Sequence, residues 1–222
     1  MRGFIARGRT TFMGRHLSML KFSLVAAVVG TLLMSTVSEA QEFQAPNFVP
    51  GTEFIFEMQN FGNPTGQFSL NYQGKDEKGN YDFGKYIYSA SLQRGTKGKE
   101  LWAAIPVKFP LTLGQTWEYS YTFDRSPRCH DQTNELKAQV GSSLEKVAVG
   151  DTTFEVVRIK HDGTWLANCP GGTPQGKLNI EYLYSPKLGM FVSVILKIWS
   201  PRGDLNTNTN LNLVSFSVPG QK

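Results

Sequence analysis

The sequence predicts an all-β protein: an antiparallel sandwich or a curved, barrel-like sheet of about ten strands, after an N-terminal signal peptide. Three observations carry this expectation. Apolar and polar residues alternate at period two in segment after segment. Turn signals recur at a spacing of about 8–12 residues. Beyond residue 40, no stretch shows the periodicity of a long amphipathic helix.

The first element is the leader. Arg2, Arg7, Arg9, Arg15 and Lys21 precede a 16-residue apolar run over 22–37. Ser38-Glu39-Ala40 then places small residues at the −3 and −1 positions of a cleavage site before Gln41. A basic start, a short apolar core and a small-x-small exit mark a secretory signal peptide. The run is short of the roughly 20 residues that span a bilayer. Met13 and Met19 open more compact versions of the same leader, so the true start is expected at Met1, Met13 or Met19. The expected division is 1–40 signal peptide and 41–222 a single β domain, periplasmic or secreted in a bacterium. No second apolar stretch of membrane length follows, so no integral membrane segment is expected in the mature chain.

The leader also carries much of the charge. Five of the 23 basic and one of the 18 acidic side chains fall within 1–40, which leaves 18 and 17 in the mature chain. That near balance, with no run of Lys and Arg, excludes the basic face on which nucleic-acid binding depends.

The mature strands follow in order. Residues 52–58 are aromatic and β-branched, and 66–72 alternate with Phe68, Leu70 and Tyr72 on one face. A polar turn over 75–80 leads to strand character over 81–91, and a turn over 96–99 leads to another strand over 100–107. Residues 116–123 place Trp117, Tyr119, Tyr121 and Phe123 on one face. Core packing is the plain reading of that stripe. The functional one is an aromatic platform for an apolar or carbohydrate ligand, with Trp117, Tyr119 and Tyr121 as its residues. Strands are then expected over 136–144, 145–149 and 153–160, the last two parted by a Gly150-Asp151 turn. His161-Asp162-Gly163 reads as a turn, with Asp-Gly as its central pair. Strands over 178–184, 190–199 and 211–218 close the chain, and Asn206-Thr207-Asn208-Thr209-Asn210 reads as a loop. A short internal similarity relates residues 50–56 to 113–119: in each a glycine turn leads into an aromatic strand.

Cys129 and Cys169 are the two cysteines of the chain, each in a turn-like segment. In an exported protein such a pair is expected to form one disulfide that pins two long loops. The alternatives are free thiols or a metal site of Cys129, His130, His161 and Cys169. No Cys-x-x-Cys or His-x-x-x-His spacing supports the latter, so no metal and no cofactor are expected.

Three stretches in the second half carry a resemblance. They are Gly114-Gln115-Thr116-Trp117-Glu118-Tyr119, the hairpin Val147-Ala148-Val149-Gly150-Asp151-Thr152-Thr153-Phe154, and Glu181-Tyr182-Leu183-Tyr184-Ser185-Pro186-Lys187-Leu188-Gly189. Over roughly 110–200 the chain resembles a broad group of uncharacterised bacterial periplasmic β-sheet proteins. Their pattern is a Gly-x-x-Trp-x-Tyr strand, a Val-x-x-Gly-x-Phe hairpin and a Trp-Tyr-Ser-Pro-x-x-Gly turn. Here Leu183 stands where the last motif has its Trp. The resemblance implies a periplasmic β fold and supplies no catalytic residues. The last motif has a structural reading of its own: Pro186 fixes a turn, Gly189 supplies positive φ, and aromatics clamp the hairpin.

Catalytic candidates are few. No Gly-x-Ser-x-Gly elbow, phosphate loop, dinucleotide fingerprint or calcium loop occurs. His130-Asp131 beside Cys129 forms at most a small polar site. Glu118, Asp124, Glu135 and Glu181 are the carboxylates placed for paired acid–base work. The leading expectation is a non-catalytic exported protein with a binding or envelope-associated role. One alternative is a carrier of a lipid or other apolar molecule, and another is a hydrolase of envelope polymers. The partner is unknown from the sequence.

Overall fold

A computed structural model of the chain describes residues 41–99, 101, 103–125 and 129–220. The expected leader lies outside the described residues. Among those residues the regular structure is all strand and all antiparallel. The strands are β1 (Glu42–Phe43), β2 (Glu53–Asn60), β3 (Asn63–Asn71), β4 (Gly74–Lys75), β5 (Tyr81–Phe83), β6 (Tyr86–Tyr88), β7 (Arg94–Thr96), β8 (Leu111–Thr112), β9 (Thr116–Phe123), β10 (His130–Val149), β11 (Thr152–Asn168), β12 (Gln175–Ser185), β13 (Met190–Trp199) and β14 (Leu205–Ser217). Several are two or three residues long, so the strands exceed the expected ten.

Eight of them form one sheet, in the order β3-β2-β14-β13-β12-β11-β10-β9. From β9 to β14 the chain is a simple meander, each strand pairing with the next. The hairpin β2–β3 then adds to the β14 edge. The edges β3 and β9 do not pair, so the sheet is open rather than closed into a barrel. It curls nonetheless. The β12–β13 hairpin ends at Ser185 and Met190, and beyond it the Phe154 ring of β11 meets the Phe216 ring of β14 at 5.2 Å.

The register decides which residues face inward. Trp117, Ala138, His161, Ile180, Leu196 and Thr209 lie opposite one another across six strands. Ile159, Tyr182, Val194, Leu211 and Met58 form the next row. Because side chains alternate at period two, each row presents one face. Lys160 and Asp162, between these positions on β11, are exposed on the other face.

The inner face is covered by the chain that joins β3 to β9. It contains the small sheet β4-β5-β6-β7, the irregular strap over 103–110 and β8, to which β1 from the N-terminal side of β2 pairs. Phe48 anchors this layer: its ring lies 5.9, 5.3, 5.1 and 5.4 Å from those of Phe54, Tyr72, Tyr81 and Phe83. The Tyr81 hydroxyl donates to the Pro46 carbonyl at 2.8 Å. At one side the two layers are fully packed, with Phe54, Leu70, Val107 and Leu111 withdrawn from solvent.

The structure departs from sequence expectation at five places. The strand expected over 100–107 is the irregular strap, of which residues 101 and 103–107 are described. Its carbonyls serve side chains instead of a ladder: Ile105 accepts from Trp117 Nε1 at 3.0 Å, and Pro106 bonds His161. The segment expected over 81–91 folds back at Gly84, where φ is 76°, to give β5 and β6. The strands expected over 136–144 and 145–149 are one strand, β10, with a register shift between Val140 and Leu144 in place of a break. His161-Asp162-Gly163 is not a turn but the middle of β11, paired on both sides. Asn206 to Asn210 is not a loop but part of β14, since ladder pairing to β13 and β2 outweighs the low β propensity of asparagine.

Candidate functional site

Beyond the packed side of the inner face lies a cavity of about 640 Å³. Its floor is the sheet: Leu178 and Ile180 of β12, Val194, Leu196 and Ile198 of β13, and Leu211 of β14. Period-two alternation puts all six on the inner face. Its roof is Tyr86, Tyr88, Leu92 and Arg94 around β6 and β7, with Pro106 of the strap. One wall is Tyr121 and Phe123 of β9 with Gln132 and Asn134 of β10.

The floor is unusual in its exposure. On the packed side apolar inward residues are buried, but Met58, Val194, Leu196, Ile198 and Leu211 remain half-exposed. The covering layer ends before reaching them. An apolar sheet face left open in this way matches a small-molecule site, which falls within about 300–1,000 Å³ and is lined mostly by apolar and aromatic groups.

The polar groups of the cavity are few and ordered. Gln132 Nε2 donates to Asn134 Oδ1 at 2.9 Å, and Arg125 Nη1 donates to Gln132 Oε1 at 2.9 Å. The Arg94 guanidinium lies 5.5 Å from the Phe68 ring and 5.2 Å from the Tyr86 ring. Burial pushes the Tyr88 phenol up to about 12, with Arg94 opposing the shift. Burial likewise raises Tyr182, and it raises Tyr121 against a hydrogen bond from Asn134. These three phenols stay neutral at physiological pH, so they bring no negative charge to the cavity.

The three aromatic residues singled out in the sequence separate here. Trp117, Tyr119, Tyr121 and Phe123 do share a face, with Tyr121 stacked at 6.2 Å on both Tyr119 and Phe123. Tyr121 lines the cavity. Trp117 and Tyr119 instead lie below the strap. Trp117 is buried and bonded to Ile105, and Tyr119 is bonded to His161. His161 is wholly buried, with Tyr182 and Trp117 edge-on to its ring at 5.0 and 5.7 Å. Burial pulls it down to about 4.

The carboxylates are not brought together at the cavity. Glu181 and Glu145 both bind Arg158 on the outer face, Glu145 through Nε at 2.7 Å and Nη2 at 2.6 Å. Glu118 pairs with Lys137 at 3.8 Å, both exposed. Glu135 and Asp124 are exposed and line no part of the cavity. Cys129 and Cys169 form the expected disulfide. It closes the open end of the β10–β11 hairpin, beside the His130–Asn168 pair. Among the described residues no group of three His, Cys, Asp or Glu side chains is placed to hold a metal ion. No helix there is long and apolar enough to cross a membrane.

The cavity residues absent from the sequence reading are those of the floor and Arg94. The floor had a signal, the alternation of 178–184 and 190–199, but nothing in the sequence says which inward positions stay uncovered. Arg94 sits in the polar stretch Gln93-Arg94-Gly95-Thr96, which carried none.

No protein-family model and no curated protein match the chain. Two solved structures are similar in arrangement. One is a protein with a YmcC-like fold from Bacteroides fragilis, with 12% identity and a TM-score of 0.36 over 80% of this chain and 100% of that one. The other is the hypothetical lipoprotein YmcC of Escherichia coli, with 7% identity and a TM-score of 0.41 over 75% of this chain and 85% of that one. Likeness at this level assigns no activity.

Proposed function

We propose that the chain is an exported, non-catalytic binding protein of the bacterial envelope or periplasm, and that its ligand is an apolar small molecule held in the cavity. One observation carries the reading: about 640 Å³ of space over an apolar sheet face that the rest of the chain leaves half-covered. Leaving such a face in water costs about 25 cal/mol for each Å² of apolar surface, a cost that an apolar guest removes. Export is supported by the basic, apolar and small-x-small pattern of residues 1–40 and by the disulfide, which persists in oxidising compartments. The reading involves no reaction. Tyr121 and Phe123 are the part of the aromatic platform that meets the guest.

Native mass spectrometry of protein purified from the periplasm of an expressing cell tests this. The expected spectrum contains a second species, heavier by one small molecule and lost on organic extraction. A bare mass from protein that also fails to take up a neutral apolar dye would overturn it.

A further inference from the structure

Among the described residues, the charged side chains that line the cavity are of one sign: Arg94 and Lys99 contribute to its surface, and no described Asp or Glu does. Three other cations pair with acids: Arg158 holds Glu145 and Glu181, Lys137 meets Glu118, and Lys97 holds Asp82 at 2.5 Å. Among the described residues no carboxylate lies within salt-bridge distance of Arg94. It lies against the ring faces of Phe68 and Tyr86 and shares one hydrogen bond with the Tyr88 phenol. A ring face holds a guanidinium by its charge, and one phenol engages only part of its five N–H groups, which leaves others for a ligand. Those N–H groups form a fork that matches a planar oxyanion. Burial keeps the Tyr88 phenol neutral, so it does not cancel the charge.

We propose that the cavity takes a single-chain anionic amphiphile, a free long-chain carboxylate, with its head on Arg94 and its chain along Leu178, Ile180, Leu196 and Ile198. This rests on the cavity being a binding site. Lys99 adds a second positive charge at the same surface. The apolar floor takes the tail and the lone guanidinium fixes the end at which the head stops. A wholly apolar guest would leave Arg94 without an anion, and a nucleic acid has no counterpart to the apolar floor.

The test uses the fluorescent polyene cis-parinaric acid and its methyl ester, which differ only in the head. Wild-type protein is expected to bind the acid at least roughly tenfold more tightly than the ester, the scale of one charge-assisted hydrogen bond. Arg94→Gln is expected to abolish that preference, bringing acid and ester to similar affinity. Arg94→Lys is expected to restore part of it. Equal binding of acid and ester by wild type would overturn the head-group assignment while the cavity reading stands. Failure of both probes and of a neutral dye would overturn both. Cosedimentation with phosphatidylglycerol vesicles, without uptake of the free acid, would overturn the assignment to a free single-chain ligand. The acid-to-ester ratio on wild type decides the matter should Arg94→Gln fail to fold.

Discussion

Tyr119 donates its phenolic hydrogen to Nδ1 of His161 across 2.8 Å, while Nε2 of the same ring meets the Pro106 carbonyl at 3.1 Å. A carbonyl only accepts, so Nε2 carries a proton, and because burial lowers the ring to about 4 and keeps it neutral at physiological pH, Nδ1 is the bare acceptor. His161 ties the strap to the sheet beside the cavity that Pro106 helps to roof.

This neutral histidine makes stability depend on pH. Burial lowers its folded pKa from 6.5 to about 4, so the unfolded chain binds a proton more readily than the folded one. The contribution is complete above about pH 6.5 and falls away as pH drops towards 4, a loss of about 3 kcal/mol. Glu145, held low by its hydrogen bond to Arg158, adds its own loss at lower pH. Melting curves between pH 7 and 5 should therefore show a decline that His161→Leu flattens. An equal slope in that variant would sink the assignment.

The disulfide is expected to stabilise by constraining the unfolded chain. Its cysteines are 40 residues apart, and the chain-entropy model gives about 4 kcal/mol for such a loop. Because the two ends already pair as a hairpin, reduction or Cys129→Ser should cost about 2–4 kcal/mol. A melting temperature that stays put on reduction would refute this.

Arg158 binds two glutamates on the half-exposed outer face, joining β10, β11 and β12. Partly exposed pairs are individually weak, and a network of three charges is worth about 1 kcal/mol. Arg158→Met should lose about that much at low ionic strength, and the loss should shrink in salt. A deficit insensitive to salt would point to packing instead.

Gly163 is the most constrained position in the large sheet. A Cβ there would stand 2.0 Å from the Glu135 carbonyl oxygen and 2.9 Å from the Leu136 Cα, and backbone cannot step aside as a flexible side chain can. Gly163→Ala should destabilise at least as much as overpacking a core, about 1–3 kcal/mol. Denaturant titration checks this, and an unchanged midpoint would contradict the close approach of β10 and β11.

The periodicity that found these strands is also what limited the sequence reading. Where residues alternate cleanly, as in 116–123 or 66–72, the structure has strands with the expected faces. Where pairing is set by distant partners, local composition misled. Asn206 to Asn210 lacks β-branched bulk on its outer face but is held by two neighbours. Asp162-Gly163 has the composition of a turn, yet the glycine serves the close approach of two long strands. The cavity was legible only as an excess of aromatics. Which of them pack and which stay open depends on where the strap and the small sheet end, and that follows from tertiary contacts such as Phe48 against four rings. Arg94 becomes informative only once Phe68 and Tyr86 are seen beneath it.

Titration with a neutral phenylnaphthylamine dye, for wild type and for Val194→Trp, shows whether the cavity binds an apolar guest. Val194 is one of the half-exposed floor residues, and an indole there takes up space that the guest would occupy. Wild type is expected to give a saturable, one-to-one rise in fluorescence, and the variant a roughly tenfold or greater weakening at a similar melting temperature. Absence of saturable uptake by wild type, or equal uptake by both proteins, would contradict this.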